Sequence, residues 1–197
     1  MSVSSPHVRG LEHSSATEPL LAWRAWTLTG ARRTGYLLRP IAGRANPWPQ
    51  RVAARATCWW PQLHEAPEER CRCGLHAVHE ERLLRWARSP AVIGTVALWG
   101  RVIEHDLGFR AEFAYPQRLR LVCHVCLWRF GLRHAECDVV ARMERGRLVP
   151  LCAAHLDLSI RCGVRVRSVG DAREVHRAVL AGYAVDPLPV PELALSA

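Results

Sequence analysis

Two short pairs of metal-binding residue types constrain this chain more than any other feature. Cys123-His124-Val125-Cys126 is a C-x-x-C pair, and Cys152-Ala153-Ala154-His155 is a C-x-x-H pair with 25 residues between the two. Soft ligands at this spacing on turns supply the four tetrahedral positions that a closed structural zinc site takes. The spacing therefore predicts one zinc ion on Cys123, Cys126, Cys152 and His155. The segments 139–142 and 147–151 are expected to form a hairpin that separates the two knuckles. Cys137 lies between the pairs and could replace one ligand, although a small buried thiol is the expected role for it. Cys162 has no partner at a ligand spacing.

A second cluster reads C-x5-H-x6-C-x-C-x2-H-x2-H over Cys58, His64, Cys71, Cys73, His76 and His79. Four ligands can be chosen from it in several ways. Cys58, His64, Cys71 and Cys73 are the favoured set, with His76 the alternative to His64, so the chain is expected to carry one or two Zn2+ ions. Four candidates at each site argue for closed coordination rather than the open position that a catalytic zinc keeps. Neither H-E-x-x-H nor the zinc-deaminase pattern occurs, and no P-loop or G-x-S-x-G nucleophile elbow is present. The expectation leans away from an enzyme. A zinc enzyme using the first of the two clusters along the chain, with an open metal position, is the least favoured reading.

Compartment and charge narrow the partners. Met1 to Glu18 has no apolar run of the signal-peptide kind. The longest nearly apolar stretch, Pro90 to Gly100, is too short to span a bilayer. A cytoplasmic protein with no membrane partner is expected, and its eight cysteines read as ligands or buried thiols rather than disulfides. All 27 basic residues are arginine, and the formal net charge is +9. Excluding lysine altogether points to a GC-rich genome, which weakens arginine count as evidence. The charge is uneven all the same: residues 1–120 carry 17 Arg and 10 acids, against 10 Arg and 8 acids in 121–197. A basic surface of that kind attracts polyanions.

Eight tryptophans, mostly in the first half, are interleaved with arginines. Rings beside guanidinium groups are what stacked, unpaired bases require. Most of these rings are expected in a β-rich core. Trp59 and Trp60 are adjacent and cannot both face inward, so with Arg55 and Arg101 they are the candidate ligand surface.

The pattern divides the chain into a flexible tail (1–19), a β-rich domain with a Cys/His loop (20–120), a zinc-binding module with a C-terminal helix (121–185) and an extended tail (186–197). Strands are expected at 22–28, 35–41 and 51–58, a helix at 76–88, and a hairpin of strands 92–105 and 109–115 around Asp106-Leu107-Gly108. A strand is expected at 164–169. Asp171 with Glu174 resembles a capping box that opens a helix ending near Gly182. The fold class is α+β: a barrel-like N-terminal domain followed by a zinc-ribbon or treble-clef-like module.

His64-Glu65-Ala66-Pro67, Cys71-x-Cys73-Gly74-x-His76-Ala77, the run from Val96 to His105, Arg110-Ala111-Glu112 and Ala114-Tyr115-Pro116 carry a resemblance over about a third of the chain. They resemble a group of uncharacterised zinc-binding proteins from high-GC bacteria. The resemblance implies a domain and a metal but no activity. More loosely, the Trp-rich strands are similar to PUA-like barrels, some of which read RNA or modified bases; that likeness is one of fold alone. The expected function is non-enzymatic recognition of nucleic acid by the basic N-terminal domain. The alternative is a protein–protein adaptor that displays Leu127, Trp128 and Phe130.

Overall fold

The computed structural model describes residues 18–41, 46–60 and 64–189. Most of the two expected tails, 1–17 and 190–197, lies outside the described residues. Ten strands join in one sheet. In chain order they are β1 (Leu20–Ala31), β2 (Gly35–Pro40), β3 (Ala54–Arg55), β4 (Leu75–Val78), β5 (Val92–His105), β6 (Gly108–Leu121), β7 (Val139–Met143), β8 (Leu148–Leu151), β9 (Val166–Asp171) and β10 (Asp186–Pro187). Helices α1 (His124–Phe130), α2 (Ala153–Arg161) and α3 (Ala172–Tyr183) follow the long hairpin.

Four antiparallel strands close on themselves. β1 pairs with β5, β5 with β6, β6 with β4, and β4 returns to β1 through Trp23 opposite Val78. The ring is possible because β5 and β6 are long and bend. Register shifts fall between Thr95 and Val96 and between Trp99 and Val102. Gly100 sits in the second bulge at φ 76°, a left-handed conformation that an L side chain resists. Gly94 is needed for a different reason. A Cβ there would run into the carbonyl oxygen of Arg118 on β6.

Alternation along the strands sorts residues to two sides. Ala22, Trp26 and Leu28 of β1, and Val92, Val96 and Leu98 of β5, point into the ring with Leu119 and Leu121 of β6. Trp26 is fully buried against the edge of Trp48, ring centroids 5.3 Å apart. Emptying its place with Trp26→Ala would cost about 3–5 kcal/mol. On the outer side, Ala25 and Ile93 are covered by Leu84, Leu127 and Leu132.

The sheet and the inner core both cross residue 120. β8 pairs with β1 at Leu148 opposite Leu28, and β7 links β8 to β9. The amphipathic helix α3 buries Ala172, Val175, Val179 and Tyr183 against the same core. Its start is capped as expected, Asp171 Oδ1 accepting from the Glu174 backbone N–H at 2.8 Å. Its end is Ala184 at φ 51°, not Gly182.

Several local expectations need correction. Residues 76–88 are not one helix: 75–78 form β4, and 81–86 make a 3-10 stretch. Pairing of His76 and Ala77 with Arg110 and Phe109 overrides the helical spacing, because it closes the ring. The strand expected at 51–58 shrinks to two residues, and β6 continues through Pro116 to Leu121. The hairpin between the Cys/His pairs forms as β7–β8, but the pairs are carried by helices: Cys123 caps α1 and Cys152 caps α2. No helix among the described residues is long and apolar enough to cross a membrane.

Candidate metal centres and an open aromatic face

Cys123 follows the long strand β6 by two residues, and Cys126 lies one helical turn later, so both point to one side of α1. Cys152 and His155 repeat that geometry at the start of α2. The β7–β8 hairpin brings the two starts together, and their four ligand atoms lie within 4.8 Å of one another. The sulfurs of Cys126 and Cys152 are 3.7 Å apart, while His155 Nδ1 is 3.0, 3.3 and 3.5 Å from Cys152, Cys126 and Cys123. A tetrahedral ion with metal–sulfur bonds of about 2.3 Å and a metal–nitrogen bond of about 2.0 Å has edges of about 3.8 and 3.5 Å. The cluster has nearly those edges. A disulfide would need sulfurs about 2.05 Å apart, and all eight cysteines are free.

Surrounding contacts hold the ligands in place. The Cys123 N–H donates to Ala135 O at 2.9 Å. Asp138 accepts from the Ala153 N–H at the start of α2, and its carbonyl accepts from the Ala172 N–H at the start of α3. Burial, reinforced by the neighbouring Cys123 and Cys152, pushes the Cys126 thiol up to about 12. Cys137 packs beside this centre outside the ligand set, and burial likewise raises its thiol to about 12. A small buried thiol was expected there, and Cys137 is half-buried.

The other cluster draws Cys58, His64, Cys71 and Cys73 together, again within 4.8 Å. The Cys58 and Cys71 sulfurs are 3.8 Å apart, and His64 Nε2 is 3.3 Å from the Cys73 sulfur. His76 is not among them. Its Nε2–H donates to Arg72 O at 3.0 Å, and burial holds its imidazole below the ordinary range. His79 donates to His105 O at 2.9 Å. Within the C-x-C pair the shifts oppose. The Cys73 backbone N–H lowers the Cys71 thiol, whereas burial raises the Cys73 thiol to about 11. The Trp60 N–H points at the Cys58 sulfur from 3.3 Å.

One side chain from the ring organises this loop. Arg110 of β6 is buried, and its guanidinium donates to the carbonyl oxygens of Glu68, Cys71 and Cys73 and to His105 Nε2. The loop is therefore tied to the strand from which it projects. Sequence reasoning missed this role of Arg110, which depends on the pairing of β6 with β4.

Of the residues expected as a ligand surface, Arg55 lies on the outer side of the sheet. Register sets Trp99 opposite Phe113 and Phe113 opposite Arg55. The Trp99 and Phe113 rings are stacked, centroids 6.0 Å apart and planes 17° apart, and the Arg55 guanidinium lies 5.5 Å over Phe113. Ala97 opposite Tyr115 forms the next row, with exposed Leu21 on β1 beyond it. Of these residues Ala97, Trp99 and Tyr115 line an open groove of about 780 Å3, together with Arg51 and Gln117. Arg101 stands at the bulge; its side chain donates to Pro67 O, and its N–H shares Glu112 with Arg55. Trp59 and Trp60, expected not both to face inward, are both outside, 73% and 61% exposed.

No family model matches this chain, and neither a curated protein nor a solved structure is significantly similar to it. The site must be read from its own chemistry. The displayed hydrophobic set proposed for an adaptor is only partly exposed: Trp128 and Phe130 face solvent at 57% and 56%, but Leu127 is buried. Sequence reasoning missed Trp99 and Phe113, which stand on either side of the hairpin turn and become neighbours only through the bulge.

Proposed function

We propose that this chain is a non-enzymatic, zinc-stabilised protein that binds single-stranded nucleic acid on the open outer face of its strand ring. The observation that carries this reading is the ladder of Trp99, Phe113 and Arg55 beside an open groove. Flat rings and a guanidinium on one accessible sheet face offer successive bases a stacking platform, and arginines draw in the phosphates. Unpaired bases fit such a face, whereas a duplex hides its ring faces. Trp59 and Trp60, on the chain that follows β3, are exposed as well.

Zinc suits both clusters by donor chemistry: three thiolates and one imidazole at nearly tetrahedral edges. Cys123, Cys126, Cys152 and His155 would hold one ion, and Cys58, His64, Cys71 and Cys73 the other. When bound, each ion cross-links distant segments and contributes folding free energy. Arg101 joins the loop of one cluster to the bulge that sets Trp99 opposite Phe113.

The test is binding of fluorescently labelled single-stranded oligonucleotides at increasing salt. Affinity should fall steeply as salt rises. Trp99→Ala and Phe113→Ala should each weaken binding about tenfold, as loss of one stacked base does. Undetectable or salt-insensitive binding counts against the reading.

A further inference from the structure

A second aromatic surface lies on the same outer side of the sheet. Leu84 of the 81–86 stretch and Leu127 of α1 cover Ala25 and Ile93 there. This cover carries three large rings in solvent: Trp86 is 70% exposed, beside Trp128 and Phe130 of α1. Exposed rings of this number are seldom incidental. Trp86 and Trp128 belong to one patch, with Phe130 two residues further along α1. The Arg85 guanidinium lies over the Trp86 ring at 5.3 Å and donates to Trp128 O at 3.0 Å. Arg129 lies over Phe130 at 5.5 Å.

The patch is basic. Arg82 and Arg129 are exposed on these elements and Arg88 and Arg133 just after them, against Glu80, which pairs with Arg82, and Glu81. It is also continuous with the open face. Along β5, Ala97 and Trp99 are four and six residues beyond the covered Ile93, about 13 and 20 Å at the strand rise. Exposed Arg118, opposite Thr95, stands between them on the outer side, with Asp186 of β10 across from it.

Resting on the nucleic-acid reading above, we propose that Trp86, Trp128 and Phe130, with Arg85, Arg88 and Arg129, form a second stacking platform for the same single strand. The strand runs from the Trp99–Phe113 ladder past Arg118 to the 81–86 stretch and α1. Bases stack on the exposed rings, while the arginines contact phosphates.

Oligothymidylates of roughly 5 and roughly 15 nucleotides, lengths within and beyond one platform, test this on the full zinc-loaded chain by fluorescence anisotropy. The double variant Trp86→Ala/Trp128→Ala should bind the short oligonucleotide as the unmodified chain does and lose about tenfold in affinity for the long one. A charge variant, Arg88→Glu/Arg129→Glu, leaves the rings in place and should give the same selective loss with a shallower salt dependence. Unchanged affinity for the long oligonucleotide in both variants would overturn the second platform while leaving the first. An acidic peptide that binds the unmodified chain and not these variants, with no effect of oligonucleotide length, would overturn it in favour of a protein partner. Failure of the unmodified chain to bind either length would instead remove the nucleic-acid reading on which the proposal rests.

Discussion

The guanidinium of Arg110 donates to the carbonyl oxygen of Cys73 at 3.2 Å, and this bond ties a ligand loop to the wall of the ring. The same group reaches Glu68 O and Cys71 O, so one buried cation fixes the loop on both sides of the C-x-C pair. Arg110→Met keeps an apolar stem of similar length and removes every donor. Zinc affinity at that centre should fall about 10- to 100-fold, the usual effect of losing a group that orients ligands. Competition with a chromophoric chelator measures it: one of two ions should leave readily from the variant. Equal retention of both would show that the loop holds its shape without Arg110.

His64 and His76 were both candidates from spacing, and only His64 reaches the cluster. His64→Ala should cost that ion and stability with it, whereas His76→Ala should leave the zinc count at two. Native mass spectrometry separates the outcomes. Loss of zinc in the His76 variant alone would reverse the assignment.

Zinc binding should weaken as pH falls. In the metal-free clusters, burial pushes the Cys126 thiol up to about 12 and the Cys73 thiol up to about 11, so both are protonated at neutral pH. Zinc must displace those protons, and bound thiolates resist reprotonation. The stability they contribute is thus present near and above the ordinary thiol range and is lost as pH drops through the lowered, metal-bound values. Apparent affinity should fall roughly tenfold per pH unit for each proton displaced. Proton release on adding zinc to the stripped protein in weak buffer reads this directly; its absence would mean the thiols are not ligands.

Tyr183 closes the far side of the ring. Its buried hydroxyl accepts from the Leu38 N–H and donates to Trp48 O, both at 2.9 Å. Burial pushes its phenol up to about 12, so it remains a donor throughout the physiological range. Tyr183→Phe should destabilise the fold by about 1–3 kcal/mol by leaving two buried backbone groups unpaired. Denaturant unfolding with zinc in excess measures it, and an unchanged midpoint would mean that water replaces the hydroxyl.

Features carried by a few adjacent residues were legible in the sequence. The gathering of Cys123, Cys126, Cys152 and His155, the β7–β8 and β5–β6 hairpins and the Asp171 cap all follow from short spacings or turn chemistry. What was hidden depends on distant partners. β4 reads as the start of a helix because Ala77, Leu83, Leu84 and Ala87 have helical spacing, and only its pairing with β6 makes it a strand. The ladder depends on the bulge at Gly100. With His105 opposite Gly108, an unbroken register would set Ala114 opposite Trp99; the bulge moves Phe113 there instead and puts two rings on one face. Helices α1 and α2, of 7 and 9 residues, are too short for periodicity to reveal.

Native mass spectrometry of protein purified without added metal or chelator tests the central claim most directly, that two closed zinc centres hold this fold. The account predicts a mass of the chain plus two zinc ions. A single zinc would leave one of the two clusters without its assigned role, and a metal-free mass for folded protein would contradict the account.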